Sequence, residues 1–119
     1  MNMFLVFNSF NYLNKMQTSR KLARLFSALS DETRIQILKL LDNGELTVND
    51  IRDVIGTSLP AISYQLRILS SADLVKYDKR GRKKFFRISD AHVKKILNQG
   101  LIHVGEELMD DDPNIEIVA

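Results

Sequence analysis

Two histidines and two carboxylates lie near the carboxyl end of the chain, in the stretch DAHVKKILNQGLIHVGE at residues 90 to 106. Asp90 precedes His92 by two residues, and Glu106 follows His103 by three. Imidazole nitrogen and carboxylate oxygen are ligands of Zn(II). The chain has no cysteine, which excludes thiolate metal sites, thiol catalysis and disulfides. The stretch is therefore either a metal site with nitrogen and oxygen ligands or a helix that carries two imidazoles on its surface.

The spacing of the histidines decides what kind of site this helix can form. Eleven helical residues make three turns plus about 20°, so His92 and His103 share a face, and Glu106 lies about 40° from His92 on the other side. The same eleven residues rise roughly 16 Å, far more than the roughly 2 Å of a zinc–nitrogen bond. One helix cannot bring all four groups to one ion, whereas an antiparallel second copy can, with two equivalent sites per dimer. Asp90 must then lie at the non-helical N-cap to reach the ion.

The length of this helix depends on Gly100. The pattern predicts a helix from Ser89 or Asp90 to Leu108, but a glycine inside a helix costs about 1 kcal/mol relative to alanine. Gly100 could end the helix as a C-cap after Gln99, in which case the metal site fails. Alternatively, it lets two helices pack closely at a dimer contact.

Charge is distributed unevenly along the 119 residues. Residues 1 to 100 contain all 17 Lys and Arg against nine acids, while residues 101 to 119 contain six acids and no base. A basic body of this kind indicates a polyanionic partner. No apolar run reaches the roughly 18 residues of a membrane span, and the opening MNMFLVFNSF lacks the basic start and cleavage site of a secretory signal. We therefore expect a cytoplasmic protein.

Two helices are predicted before residue 45. Helical spacing places Leu22, Leu25, Phe26 and Leu29 in one buried stripe of a first helix that begins near Thr18 or Ser19. Ser30 is the expected N-cap of a second helix, TRIQILKLL, which ends at the turn Asp42-Asn43-Gly44.

The next two helices are joined by a tight turn. Thr47 and Asp50 form an approximate capping box, and Gly56 ends this short helix. Ser58 then caps SLPAISYQLRILS, with Pro60 in its first turn. Because Ile62, Leu66 and Leu69 form the buried stripe, the opposite face carries Pro60, Ser63, Tyr64 and Arg67. This arrangement is typical of a helix-turn-helix.

A basic hairpin follows. LVKYDKRGRKKFFRI is predicted to form strands over Leu74 to Tyr77 and Lys83 to Ile88, joined by a charged turn that contains Gly81. From Lys76 to Arg87 it has seven bases and one acid. Such a hairpin can be a solvated edge kept soluble by lysine, but beside a helix-turn-helix phosphate contact explains it better. We expect DNA contacts from the helix at Ser58, Leu59, Pro60, Ser63, Tyr64, Gln65 and Arg67, and from the hairpin at Lys79, Arg80, Arg82, Lys83 and Lys84.

This order of elements resembles the ArsR/SmtB family of winged-helix repressors, specifically its zinc-sensing members. The motifs that carry the resemblance are ALSDETRIQILKLL, ELTVNDI, SLPAISYQLRIL and KRGRKKFFRI, and the similarity covers about residues 20 to 108. It implies a mostly α, winged helix-turn-helix homodimer, built by the first and fifth helices, on an imperfect inverted-repeat DNA operator.

The resemblance also implies where a metal binds. Asp90, His92, His103 and Glu106 match the family's zinc site on the fifth helix, and a ligating histidine there would donate its second ring N–H to the backbone carbonyl of Asp73. Thr47 and Asn49 replace the cysteines that other family members use near the third helix, so no thiolate sensing is expected there. The recognition helix also departs from the family at Leu59, Pro60 and Tyr64, which implies a different operator.

We therefore expect a repressor that Zn(II), or Co(II) in its place, releases from DNA. Two imidazoles and two carboxylates suit a tetrahedral ion, and a site closed by protein with no candidate base argues against an enzyme. The alternative is a family-type regulator with a vestigial metal site or another inducer. We expect the winged-helix domain with its dimerisation helices at residues 18 to 108, an N-terminal extension at 1 to 17 and an acidic tail at 109 to 119. The extension is either a helix that packs on the partner subunit or an overlong start before Met16.

Overall fold

Five helices and one antiparallel hairpin make up the described part of the chain. A computed structural model describes residues 2 to 105, without the side chains of residues 4 to 8 and 10. The elements follow in the order α1 (Met3–Leu29), α2 (Glu32–Leu41), α3 (Val48–Ile55), α4 (Leu59–Ser71), β1 (Val75–Arg80), β2 (Lys83–Ile88) and α5 (Ala91–His103). The predicted mostly α architecture with a helix-turn-helix and a wing is confirmed.

Helix α1 is longer than predicted, because it begins at Met3 and not near Thr18 or Ser19. Those two residues lie inside the helix: the Thr18 hydroxyl donates to the carbonyl of Asn14, and the Ser19 hydroxyl donates to that of Lys15. Hydroxyl groups that bond back one turn do not cap a helix start. The helix thus runs unbroken across the predicted boundary between residues 17 and 18.

The apolar stripe of α1 is only partly buried, contrary to the prediction. Leu25 and Leu29 pack against the core, whereas Leu22 is 49% exposed and Phe26 is 53% exposed in the single chain. Helical spacing identified the apolar side chains correctly, but it could not distinguish the chain's own core from an outward-facing surface.

Helix α2 begins one residue later than predicted. Its N-cap is Asp31, whose carboxylate accepts from the backbone N–H of Arg34, while the Ser30 hydroxyl donates to the carbonyl of Ser27. Aspartate and serine are comparable N-caps, and here the serine closes the end of α1 instead. The helix ends before Asp42, as expected.

The caps predicted for α3 and α4 are confirmed. Thr47 and Asp50 form a complete capping box, and Gly56 ends α3 with a φ of 83°. The Ser58 hydroxyl accepts from the backbone N–H of Ala61, with Pro60 in the first turn of α4. These local bonds set the short turn that holds the two helices in their helix-turn-helix arrangement.

The hairpin is longer on its first strand than predicted. Strand β1 starts at Val75 and continues past Tyr77 to Arg80, which pairs with Lys83 across the turn at Gly81. Backbone pairing does not require apolar side chains, so the charged residues after Tyr77 still extend the ladder. Leu46 forms an isolated bridge to Phe86, and this pair of hydrogen bonds joins the wing to the loop before α3.

One core holds the elements together. Its fully buried side chains include Ile37 and Leu38 of α2, Ile51 of α3, and Ile62 and Leu69 of α4. Phe86 and Ile88 of β2 and Val93 and Leu97 of α5 complete it. The recognition helix α4 and the start of α5 are therefore packed against one apolar centre. In the described part of the chain, no helix is long and apolar enough to cross a membrane.

Helix α5 passes through Gly100 and ends at His103, short of the predicted Leu108. Val104 is the C-cap, and Gly105 follows with a φ of 84°, a left-handed conformation that glycine adopts without strain. Gly100 therefore does not end the helix, whereas Gly105 lies at its termination. Glu106 and the predicted tail at 109 to 119 lie outside the described residues.

Candidate functional site

The face of α4 opposite the core is polar and exposed. It presents Pro60, Ser63, Tyr64 and Arg67, with Leu59 in its first turn, as the helical rotation from Ile62 requires. The Ser58 hydroxyl lies at the start of this face and accepts a hydrogen bond as the N-cap. Small, aromatic and cationic groups on one accessible helix are suited to the edges of bases and to phosphates.

Gln65 lies apart from that face. Its side chain is half-buried, and its Oε1 accepts from the Nη1 of Arg34 at 2.9 Å. The Nε of Arg34 also donates to the carbonyl of Ala28 at 2.6 Å. Arg34 thus joins the end of α1 to α4, and the structure gives Gln65 a partner inside the protein.

The wing carries its cations on exposed strands. Arg80 pairs with Glu45 at 2.6 Å, and its guanidinium lies 3.9 Å from the centre of the Phe85 ring. The ammonium of Lys84 lies 4.6 Å from the centre of the Tyr77 ring. Arg80, which lies beside the turn at the tip of the wing, is therefore held by an acid and an aromatic ring.

Three further cations of the wing are exposed: Lys79, Arg82 and Lys83. Arg82 occupies the turn, and Lys83 lies near enough to Asp50 to help lower the pKa of that carboxyl group. A groove between α4 and the wing is lined by Ser63, Arg67, Tyr77 and Lys84 among others. The recognition helix and the wing therefore line one groove, to which they contribute the cations Arg67 and Lys84.

Asp90 and His92 lie together at the start of α5. Asp90 is the N-cap, with extended backbone angles of −160° and 177°, and its carboxylate accepts from the backbone N–H of Val93. Asp90 Oδ1 lies 3.5 Å from His92 Nδ1, and the His92 side chain is 88% exposed. The hydrogen bond from Val93 is the main cause that lowers the pKa of Asp90, and His92 adds to it. Asp90 therefore has the non-helical position that the proposed metal site needs.

His103 is the last residue of α5 and is exposed. It lies three turns from His92 on the same face, so the two imidazoles are at opposite ends of the helix. Among the described residues of a single chain, no three potential ligands of the types His, Cys, Asp and Glu come together. The structure thus brings together Asp90 and His92 but leaves His103 apart from them.

The carbonyl of Asp73 is bonded within the chain. Asp73 follows α4 in the left-handed conformation, with a φ of 57°. The buried Ser89 hydroxyl donates to its carbonyl at 2.6 Å. A carbonyl oxygen has two lone pairs, so one remains for the histidine contact that the resemblance implies.

Sequence reasoning missed Arg34 and Ser89 as connecting residues. Arg34 bonds a residue 31 positions away, and Ser89 bonds one 16 positions away. Neither pairing follows a helical or strand period, so no local signal could have found the partners.

Known proteins share both the sequence pattern and the fold. Residues 31 to 77 match the family model of bacterial regulatory proteins of the arsR family. The chain is 35% identical over 91 residues to a cadmium resistance transcriptional regulatory protein, a CadC homologue from Staphylococcus aureus, covering 76% of this chain and 75% of the other. It is also 35% identical over 91 residues to a transcriptional repressor SmtB homologue from Synechocystis, covering 76% and 69%.

A solved structure supports the same assignment. The homodimeric winged helix-turn-helix DNA-binding domain of a possible ArsR-family regulator from Mycobacterium bovis superposes with a TM-score of 0.74 at 30% identity, covering 82% of this chain and 90% of that one. These relatives are transcriptional regulators and not enzymes, in agreement with the expectation from the sequence. The chain belongs to the arsR family of winged helix-turn-helix transcriptional regulators.

Proposed function

We propose that this protein is a homodimeric repressor that binds an inverted-repeat operator and is released from it by Zn(II), or by Co(II) in its place. It would act in the cytoplasm, where the operator lies. The observation that carries the metal assignment is the 3.5 Å between His92 Nδ1 and Asp90 Oδ1. Two ligands bound tetrahedrally at about 2 Å from one zinc ion are separated by about 3.3 Å, so this pair has close to the spacing of two corners of such a site.

The DNA-binding part of the proposal rests on α4 and the wing. The exposed face from Ser58 to Arg67 is the side that can enter a major groove, with Gln65 turned toward Arg34. Five wing cations would contact the flanking phosphates: Lys79, Arg80, Arg82, Lys83 and Lys84. The family relatives are transcriptional regulators, and one is a transcriptional repressor.

A homodimer explains the exposed apolar side chains of the outer helices. Leu22 and Phe26 of α1 are about half exposed, and Ile102 and Val104 at the end of α5 are 42% and 77% exposed. The M. bovis neighbour is homodimeric. A Cβ added at Gly100 would contact nothing within 4 Å in the single chain, so there is room for a partner helix at that point.

In the dimer, two half-sites form each metal site. Asp90 and His92 at the start of one α5 would meet His103 and Glu106 of the partner subunit, since antiparallel helices place opposite ends together. Nitrogen and oxygen ligands without sulfur fit a zinc or cobalt ion. When bound, the ion supplies a cross-link between the two helices and so favours one dimer geometry.

Within each chain, Ser89 connects the adjacent Asp90 to the recognition helix α4. The Ser89 hydroxyl and backbone N–H bond the carbonyls of Asp73 and Leu74, just after α4 ends. A shift at the start of α5 is thereby transmitted to the end of α4, which alters the spacing of the two recognition helices. Metal and DNA then weaken each other's binding by the same factor.

The end of α5 supports a second reading, a family regulator with a vestigial metal site or another inducer. Helix α5 stops at His103, so the helical rotation that aligned Glu106 with the histidines does not apply beyond that residue. In this case the protein binds DNA in the same way, but zinc leaves the complex intact.

A zinc titration separates the two readings. The protein is bound to a fluorescent duplex selected from a random pool, and anisotropy is followed as Zn(II) is added to the wild type and to His103→Ala. The proposal predicts release of wild-type protein by zinc and little release of the variant. Retention of the wild type on DNA at saturating zinc, or equal release of both proteins, would favour the second reading.

A further inference from the structure

A second basic groove lies on the side of α4 that faces α1. We call it the arginine groove; it is lined by Arg24 and Ser27 of α1, Arg34 of α2, and Arg67, Ile68 and Ser71 of α4, together with two alanines. Its charged lining residues are three arginines, one from each of three helices. No acidic side chain is among the residues that line it in the described part of the chain.

One of the three guanidinium groups is fixed. Arg34 donates through Nε to the carbonyl of Ala28, through Nη1 to Gln65 and through Nη2 to the carbonyl of Ser27 at 3.4 Å, and all three acceptors are neutral. The carboxylate of Asp31 is engaged with the backbone N–H of Arg34 as the N-cap of α2. Within the described residues, Arg34 therefore retains its positive charge in the groove without an acidic partner at its guanidinium, and one N–H on each of Nη1 and Nη2 is not used by these bonds.

The other two guanidinium groups are accessible. Arg24 and Arg67 are both exposed, and Arg67 projects between the arginine groove and the groove beside the wing. Three like charges around one concave surface are usually separated or paired with acids, because their repulsion is unfavourable. The three arginines of this groove are instead close together, an arrangement that favours a negatively charged ligand.

The position of the groove identifies the anion. A helix in the major groove of B-DNA has a phosphate backbone on each side, across a groove about 12 Å wide. Wing residues such as Lys84 flank one side of α4, and Arg24 and Arg34 flank the other. Cations on both sides of a recognition helix match the two backbones that bound the groove it reads.

We propose that the arginine groove binds a phosphate of the DNA backbone on the side of the recognition helix opposite the wing, with Arg24 and Arg34 as donors and Arg67 between the two backbones. This inference rests on the proposed DNA binding. It adds α1 and α2 to the DNA contacts, which sequence analysis had confined to α4 and the wing. Arg24 thus contacts DNA and is not merely a solvated charge on an exposed helix.

Salt dependence of DNA binding tests the proposal. Affinities for the selected duplex are measured from 50 to 200 mM salt for wild type, Arg24→Gln, Arg24→Lys and Arg20→Gln. Arg20 is a matched control because it is an exposed arginine one turn earlier on α1, outside the groove lining. Melting temperatures establish that each exposed substitution leaves the fold intact.

Each lost phosphate contact lowers the slope of log affinity against log salt by about 0.9, or about 1.8 for a dimer. Arg24→Gln should therefore make affinity about tenfold less sensitive to salt over this range, whereas Arg24→Lys and Arg20→Gln should keep a slope near that of the wild type. Ethylation of individual phosphates should interfere with wild-type binding on both sides of the major groove, and interference on the side opposite the wing should weaken for Arg24→Gln, which keeps Arg34 as the remaining donor.

Other outcomes overturn the inference. An unchanged slope for Arg24→Gln, or an equal fall for Arg20→Gln, would show that the groove makes no specific phosphate contact while leaving the proposed function in place. Failure of wild-type protein to bind any duplex would instead reject the proposed function, and the phosphate site with it.

Discussion

The hydroxyl of Ser89 donates a 2.6 Å hydrogen bond to the backbone carbonyl of Asp73, and so ties the residue before α5 to the end of α4. Ser89 is 8% exposed, and its backbone N–H bonds the carbonyl of Leu74 at 3.0 Å. The start of the proposed metal helix and the end of the recognition helix are therefore in direct contact within one chain.

Ser89→Ala should weaken the coupling between zinc and DNA more than it weakens zinc binding. The variant loses a buried hydrogen bond, at a cost of about 1 kcal/mol in the free energy of unfolding, but keeps Asp90 and His92. Zinc affinity of the free protein and zinc-induced DNA release are to be measured together. Ser19→Ala removes an exposed helical hydroxyl bond and serves as the control. Full release by Ser89→Ala would assign the coupling to another contact.

Asp73→Gly should stabilise the protein. Asp73 adopts a φ of 57° after α4, where the N–H of Leu74 bonds the carbonyl of Leu69 and the N–H of Asp73 bonds that of Ser70. This is a Schellman motif, whose left-handed position favours glycine. Glycine relieves the strain of the left-handed backbone but gives the unfolded chain more conformational entropy. The relief should be the larger effect, so that the free energy of unfolding rises by about 0.5 kcal/mol and the melting temperature by a few degrees. Asp73→Ala should lower it, and the opposite order of the two variants would contradict the strain.

The capping box of α3 should make the free energy of unfolding depend on pH in the acidic range. Hydrogen bonds from Thr47, first from its backbone and then from its side chain, lower the pKa of Asp50 below its usual 3.8. Because the folded pKa is the lower one, ionised Asp50 contributes stability that is present above the unfolded value and is lost as the pH falls through the folded value.

Urea midpoints measured from neutral pH to below the usual pKa of 3.8 check this contribution. Asp50→Asn should be less stable than wild type at neutral pH, and the difference should shrink in acid. Asp53→Asn, an exposed acid on the same helix outside the cap, is the control. A difference between Asp50→Asn and wild type that stays constant with pH would show that the carboxylate charge does not act in the cap.

Phe26→Glu should convert the proposed dimer to a monomer. Phe26 is 53% exposed in the single chain, and burial of a phenylalanine side chain contributes about 2 kcal/mol. Because a twofold interface contains Phe26 from both subunits, the substitution removes this contribution twice. The dimer dissociation constant should therefore rise at least about 100-fold. Sedimentation velocity gives the result, with Val54→Glu as control because Val54 is 66% exposed on α3. A Phe26→Glu dimer as stable as that of Val54→Glu would place the interface elsewhere.

Much of the local structure could be predicted because its causes are local. The capping box at Thr47, the N-caps Ser58 and Asp90 and the stop at Gly56 depend on residues three or four apart. Two errors at helix ends had local causes: Asp31 and not Ser30 caps α2, and α5 ends at His103, just before Gly105, and not at Leu108. At both points neighbouring residues are suited to end or begin a helix, and the backbone conformation decides between them.

The sequence by itself determined the order of helices and wing, the types of possible metal ligand and the inability of one helix to bring the four proposed ligands to one ion, since these follow from helical period, rise and the absence of cysteine. Only the tertiary structure decided that Leu22 and Phe26 face outward, that Gln65 bonds Arg34, and that Ser89 joins α5 to α4. These relationships connect residues on different elements. Their formation depends on how the elements pack, which no repeat along the chain encodes.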